Sequence, residues 1–210
     1  MAVQSNKKET PRQMLGAFMQ EFSGCVFIMM IFTPLCTFLG DSWNAWIMHF
    51  FLVILADVIT VGSQVNPAVS VAIYLHDWIP FNGLCARLIG QGLAACIVFP
   101  MLGVFSPSHV PFSGPEIAEG LAIREAITTE FLVTMGLMLV ILACTDFIKP
   151  PAHRPFVGIG IRALVVAGQH RTGPGMNPMI ALGWAWYKGA GAEAPAAFWG
   201  RHLAVYLGGA

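Results

Sequence analysis

The sequence predicts an all-α membrane protein built from two related halves in opposite orientation. Each half is expected to carry three membrane spans and one helix of half length. Three observations predict this: a shortage of charge, a series of long apolar runs, and two dipeptides that recur at matched spacing.

Hydrophobic residues make up 56% of the 210, charged residues only 10%, and mean hydropathy is +0.69. A soluble domain carries roughly 25% charged residues, so this chain lacks the polar side chains to cover a water-facing surface. The apolar residues fall in long runs at Met14–Leu39, Trp46–Val65, Leu84–Phe105, Ala126–Thr145 and Phe156–Gly168. A helix crosses the hydrocarbon in about 20 residues, and shorter spans occur. A sixth run begins near Ala196 and holds the last residue, Ala210, so the final span is expected to be truncated.

Formal net charge is zero, which gives no basic face for nucleic acid. Lys7, Lys8 and Arg12 precede the first run, and their positive charge assigns the N-terminus to the cytoplasm. Arg87, Lys149 and Arg154 then fall on the same side, and Arg124, Arg171 and Lys188 on the other. The five cysteines lie in or beside apolar runs without a C-x-x-C pair, where cysteine packs as a small hydrophobe. The six histidines show no metal-ligand spacing, and neither H-E-x-x-H nor G-x-S-x-G occurs. No metal, cofactor or enzyme activity is expected.

Glu21-Phe22 lies in the first run and Glu130-Phe131 in the fourth, while Asn66-Pro67 and Asn177-Pro178 follow the second and fifth. Asn66 comes 45 positions after Glu21, and Asn177 comes 47 after Glu130. Three spans per half is an odd number, so the halves invert, and inverted repeats place their functional site where discontinuous helices meet. The division is a single domain over 1–210. It has a tail at 1–12, a first repeat at 13–105, a connecting loop at 106–119 and an incomplete second repeat at 120–210.

Asparagine is a good N-cap and proline is favoured at the first helical position. A helix should therefore start at Asn66-Pro67 and run through Tyr74, and another should run from Asn177-Pro178 to about Trp186. Some ten residues at 1.5 Å each make about 15 Å, half a bilayer. Two such helices entering from opposite faces bring positive dipole ends together at the midplane. Each Asn can cap its own helix through oxygen and offer N–H donors to a passing water or small neutral solute. Protons and cations meet a positive barrier. The glycine-rich stretches at Gly62-Ser63-Gln64 and Thr172-Gly173-Pro174-Gly175 are irregular backbone, tolerated at that depth only around a cavity or against protein.

These residues carry a resemblance. The chain resembles the aquaporin, or major intrinsic protein, family through Glu21-Phe22, the stretch from Val61 to Ser70 with Asn66-Pro67-Ala68, and Gln91. Glu130, Asp146 and Thr172-Gly173-Pro174-Gly175-Met176-Asn177-Pro178 match as well. The resemblance implies the aquaporin-like fold of six spans plus two re-entrant half-helices, and a homotetramer with one pore per subunit. It implies that Glu21 and Glu130 support the re-entrant loops, and that Asn66, Pro67, Ala68, Asn177, Pro178 and Met179 form the pore midplane. The stretch "TGPGMNPMIALGWAW" is similar to the small basic intrinsic proteins of plants, which implies an endoplasmic reticulum membrane rather than the plasma membrane.

The chain departs from the family's usual pattern at the outer constriction. Where the family usually has an aromatic, a His, a small loop residue and an Arg, this chain has Trp46, Val165, Pro174 and Ile180, so that His is replaced by Val and Arg by Ile, and Met179 stands where the family has Ala. Such an apolar ring strips hydration without compensating it, which predicts a wider pore for less polar solutes or weak water conduction. Arg162, three residues before Val165 and so on a neighbouring helix face, either substitutes for the missing arginine, pairs with a buried acid such as Asp57, or snorkels. The expected function is a passive channel for water or small neutral solutes. The alternatives are a non-conducting scaffold of the same fold and a weak channel for larger, less polar solutes. An alternating-access transporter is a further rival, but it needs midplane carboxylates, and Asp57 alone is thin support for one.

Overall fold

A computed structural model describes residues 8–39, 43–105, 114–148, 151–190 and 196–210. Lys7, His109, Lys149 and the side chain of Cys36 lie outside the described residues. The first half holds α1 (Pro11–Leu39), α2 (Trp43–Ile59), α3 (Pro67–Leu75) and α4 (Phe81–Phe105). The second holds α5 (Ile123–Phe147), α6 (His153–Gly168), α7 (Pro178–Ala190) and α8 (Ala196–Gly208). Among the described residues the structure is helical throughout, with no strand.

Pro11–Ile31 of α1, with α4 and α5, is long and apolar enough to cross a membrane. The 17 residues of α2 and 16 of α6 reach about 25 Å at the helical rise. The nine residues of α3 end at Leu75, one past the expected Tyr74, and α7 runs to Ala190, a turn beyond Trp186. Charge is scarce inside these helices, and large apolar side chains such as Leu55, Ile89, Leu93, Leu132 and Leu139 stand exposed on their outer faces. Lipid is the solvent that suits such a surface, because helices already satisfy their own backbone groups.

The packing repeats with the sequence. In the first half α1 lies on α2 and α4, and α3 on α4; in the second, α5 lies on α6 and α8, and α7 on α8. The halves are then interleaved, because α7 also packs on α4, α6 on α2, and α3 on α5. One core joins Cys25 and Met29 of α1, Val98 and Phe99 of α4, and Met179 and Trp184 of α7. A second joins Val69 of α3 to Val133 and Leu137 of α5. With apolar lipid offering no hydrophobic drive between helices, close approach through small residues does the packing. A Cβ on Gly90 of α4 would sit 2.6 Å from the Phe18 carbonyl oxygen of α1, and one on Gly183 would sit 2.8 Å from the Ala95 carbonyl oxygen.

Candidate functional site: a polar junction inside an apolar lumen

The two half-helices start as their sequences dictate. Asn66 is the N-cap of α3 in extended conformation, its Oδ1 accepting from the Ala68 amide at 2.9 Å with Pro67 at the first helical turn. Asn177 caps α7 the same way, its Oδ1 accepting from the Met179 amide at 3.1 Å. Capping leaves each Nδ2 to donate elsewhere, and both donate across the junction. Asn66 Nδ2 donates to the Met176 carbonyl and Asn177 Nδ2 to the Val65 carbonyl, each at 2.7 Å. Each asparagine thus holds the backbone just before the other, and the two helix N-termini meet.

The loops that deliver these carbonyls are strained and pinned. Val65 and Met176, the residues before each asparagine, have φ of 48° and 39°, a region costly for side chains with a Cβ. Glu21, fully buried on α1, accepts from the amides of Gln64 at 2.8 Å and Val65 at 2.7 Å. Its third donor is Gln91 Nε2 at 2.9 Å, and Gln91 also donates to Ser70 Oγ. Glu130 on α5 accepts from the amides of Gly175 at 3.1 Å and Met176 at 3.0 Å. Tyr206 of α8 steadies the same loop by donating to the Thr172 carbonyl at 2.6 Å. A carboxylate is acceptor-only and binds a pair of convergent N–H groups well, so these two acids hold the two strained turns in place.

A cavity of about 460 Å³ passes the junction and is lined by Asn66 and Asn177 together with residues of α2, α5 and α6. Its two ends differ. Toward the side from which α3 enters, the lining includes Asp57, Ser63, Thr145, His153 and Arg154. Toward the side from which α7 enters, it includes Ile161, Val165, Pro174 and Ile180, with His49 from α2. Pro67, Ala68, Pro178 and Met179 are absent from this lining. Met179 instead turns into the core between α1 and α4, and the reciprocal asparagine bonds form beside it.

Of the four residues expected at the apolar constriction, Val165, Pro174 and Ile180 line the cavity and Trp46 does not. Trp46 stacks on Phe50, with ring centroids 6.3 Å apart. His49, within a turn of it, does line the lumen, together with Leu52, Val53, Ile54, Ala56 and Asp57 of the same helix. That placement was readable only with the rotation of α2, which the nearly continuous apolar run conceals.

Asp57 pairs with Arg154 and not with Arg162. The Arg154 guanidinium donates to the Asp57 carboxylate across the α3-side mouth, a second polar feature that sequence spacing did not isolate. Arg162 is buried on α6 and does not line the cavity. Among the described residues no carboxylate pairs with it. Groups of three or more metal-ligating side chains are absent among the described residues.

The family model of the Major intrinsic protein matches residues 5–209. A probable aquaporin AqpM of Archaeoglobus fulgidus is 28% identical over 155 residues, covering 69% of this chain and 63% of that protein. Aquaporin NIP3-1 of Arabidopsis thaliana is 31% identical over 159 residues, covering 70% of this chain and 44% of that one. A probable TIP-type aquaporin of Medicago truncatula is 27% identical over 60% of this chain, which spans 53% of its length. The chain thus spans between 44% and 63% of the length of these curated relatives. The solved aquaglyceroporin from Plasmodium falciparum shares the fold with a TM-score of 0.74 at 20% identity, covering 93% of this chain and 92% of that one.

Proposed function

The chain belongs to the major intrinsic protein family of multi-pass membrane proteins, and on that premise we propose that it is a passive channel for water or small neutral solutes. The observation that carries this reading is the asparagine junction inside the lumen. Each Nδ2 spends one hydrogen on the opposite loop, which leaves its second as a donor for a solute oxygen passing between Asn66 and Asn177. The N-termini of α3 and α7 converge there, and their dipoles raise the energy of any cation or proton at the same point. Val165, Pro174 and Ile180 offer no such donor, so this ring favours less polar solutes and slows water. Trp46 completes the ring only if its side chain turns toward the lumen.

The test is stopped-flow light scattering on vesicles that hold the full-length protein. Faster osmotic shrinkage than in empty vesicles is the expected result. No acceleration for water, glycerol, urea or peroxide would leave the non-conducting scaffold as the better reading. Replacing Asn66 or Asn177 is expected to lower flux or to admit cations. The same reading places one pore in each subunit of a homotetramer, with the N-terminus cytoplasmic. By its likeness to the small basic intrinsic proteins it puts the channel in the endoplasmic reticulum membrane. Cross-linking and protease protection of microsomes check these points.

A further inference from the structure

We propose that Asp57 sets the charge selectivity of the lumen: by pairing with Arg154 it keeps the α3-side mouth from collecting anions that nothing deeper rejects. The proposal rests on the channel reading above. Helix N-termini at the asparagine junction repel cations but attract anions. The ring of Val165, Pro174 and Ile180 strips hydration, which is a small obstacle to a weakly hydrated anion such as thiocyanate. Glu21 and Glu130 spend their carboxylates on the loop amides and stand outside the lining. Among the described residues, Asp57 is then the one carboxylate in the lining and Arg154 its one Lys or Arg side chain.

Packing fixes where the pair stands. Leu137 of α5 and Val165 of α6 meet Val69 and Met176 in one core. The Met176 carbonyl is the one that Asn66 holds, so this core marks the level of the junction. Gly136 packs on Leu164 and Gly160 on Val140, so α5 and α6 run antiparallel. The lining continues from that level along α5 through Ile141 to Thr145, and along α6 through Ile161 and Val157 to Arg154. Thr145 is eight residues from Leu137 and Arg154 eleven from Val165, which sets the pair about 12–16 Å beyond the junction at the helical rise. There the Arg154 guanidinium donates to the Asp57 carboxylate, and its charge faces the lumen cancelled. Asp146, next to Thr145, lies outside the lining and 3.7 Å from His76, so it does not stand in for Asp57. Removing either partner unmasks a charge of known sign at the mouth and leaves the asparagine bonds untouched.

The experiment measures water and potassium thiocyanate fluxes by stopped-flow light scattering on the same vesicles, with valinomycin present so that potassium balances the anion. The parent, D57N, R154M and D57N/R154M are compared by the ratio of thiocyanate to water permeability, in which any loss of folded protein cancels. D57N leaves Arg154 uncompensated in a lumen of low dielectric and is expected to raise the ratio about tenfold or more. R154M leaves the carboxylate and is expected to hold the ratio at or below that of the parent. D57N/R154M removes both charges and is expected to return near the parent. A rise in R154M as large as that in D57N means that losing the link merely opens the mouth, and overturns the proposal. An unchanged ratio in D57N overturns it too and leaves the channel intact. A parent that shrinks no faster than empty vesicles removes the channel reading and this one with it.

Discussion

Glu21 and Glu130 are the two acids that hold the asparagine loops, and each answers a problem set by its loop. Val65 and Met176 must take positive φ to aim their carbonyls at the opposite asparagine. That conformation costs of order 1–3 kcal/mol where a Cβ is present. Each carboxylate offsets this with two backbone amide bonds, and Glu21 takes a third from Gln91. Glu21→Gln places an amide NH₂ against at least one of three donors. It is expected to cost about 1–3 kcal/mol, read as a lower unfolding midpoint in detergent. Glu130→Gln is expected to act in the same direction. Parent-like midpoints in both would show that the loops hold their shape without the carboxylates.

At the level of elements, two predictions concern how helices meet. Gly90 brings α4 against the α1 backbone, where a Cβ would stand 2.6 Å from the Phe18 oxygen, whereas Gly92 on the same helix meets nothing within 4 Å. Gly90→Ala must therefore push α1 away from α4, and with it Glu21 from its loop. Gly92→Ala removes only backbone freedom and is expected to be neutral or to stabilise by about 0.5–1 kcal/mol. Thermal unfolding of the pair checks this, and equal effects would refute the close-packing account. Asp57 and Arg154 join α2 to the first turn of α6 with side chains about 33% and 29% exposed. The carboxylate sits where the α6 dipole favours a negative charge, while solvent screens the pair. Arg154→Met is expected to cost no more than about 1 kcal/mol, less at high salt, in the same assay. A loss of several kcal/mol would mean that the pair behaves as a buried one.

For the whole molecule, the parts legible in sequence were those fixed by local chemistry. Asn66-Pro67 and Asn177-Pro178 announce helix starts, and Glu21 and Glu130 stand out as charges in apolar runs. Partners that depend on helix rotation were not legible: Asp57 meets Arg154, not Arg162, and His49 faces the lumen where Trp46 was expected. An apolar run that touches protein on one face and lipid on another gives no periodic signal to fix its rotation. The interleaving of the halves was hidden for the same reason, yet it has a measurable consequence. Asn66 and Asn177 each cap their own helix and each hold the other's loop. Asn66→Ala orphans the Met176 carbonyl and frees α3 to withdraw, which lengthens the bond from Asn177 to Val65. Asn177→Ala in that background then has less left to break. A double-mutant cycle on stability is expected to show the second substitution costing less than it does alone, by about 0.5–3 kcal/mol of coupling. Strict additivity would mean that the two halves fold around the lumen independently, with the junction a contact between finished units.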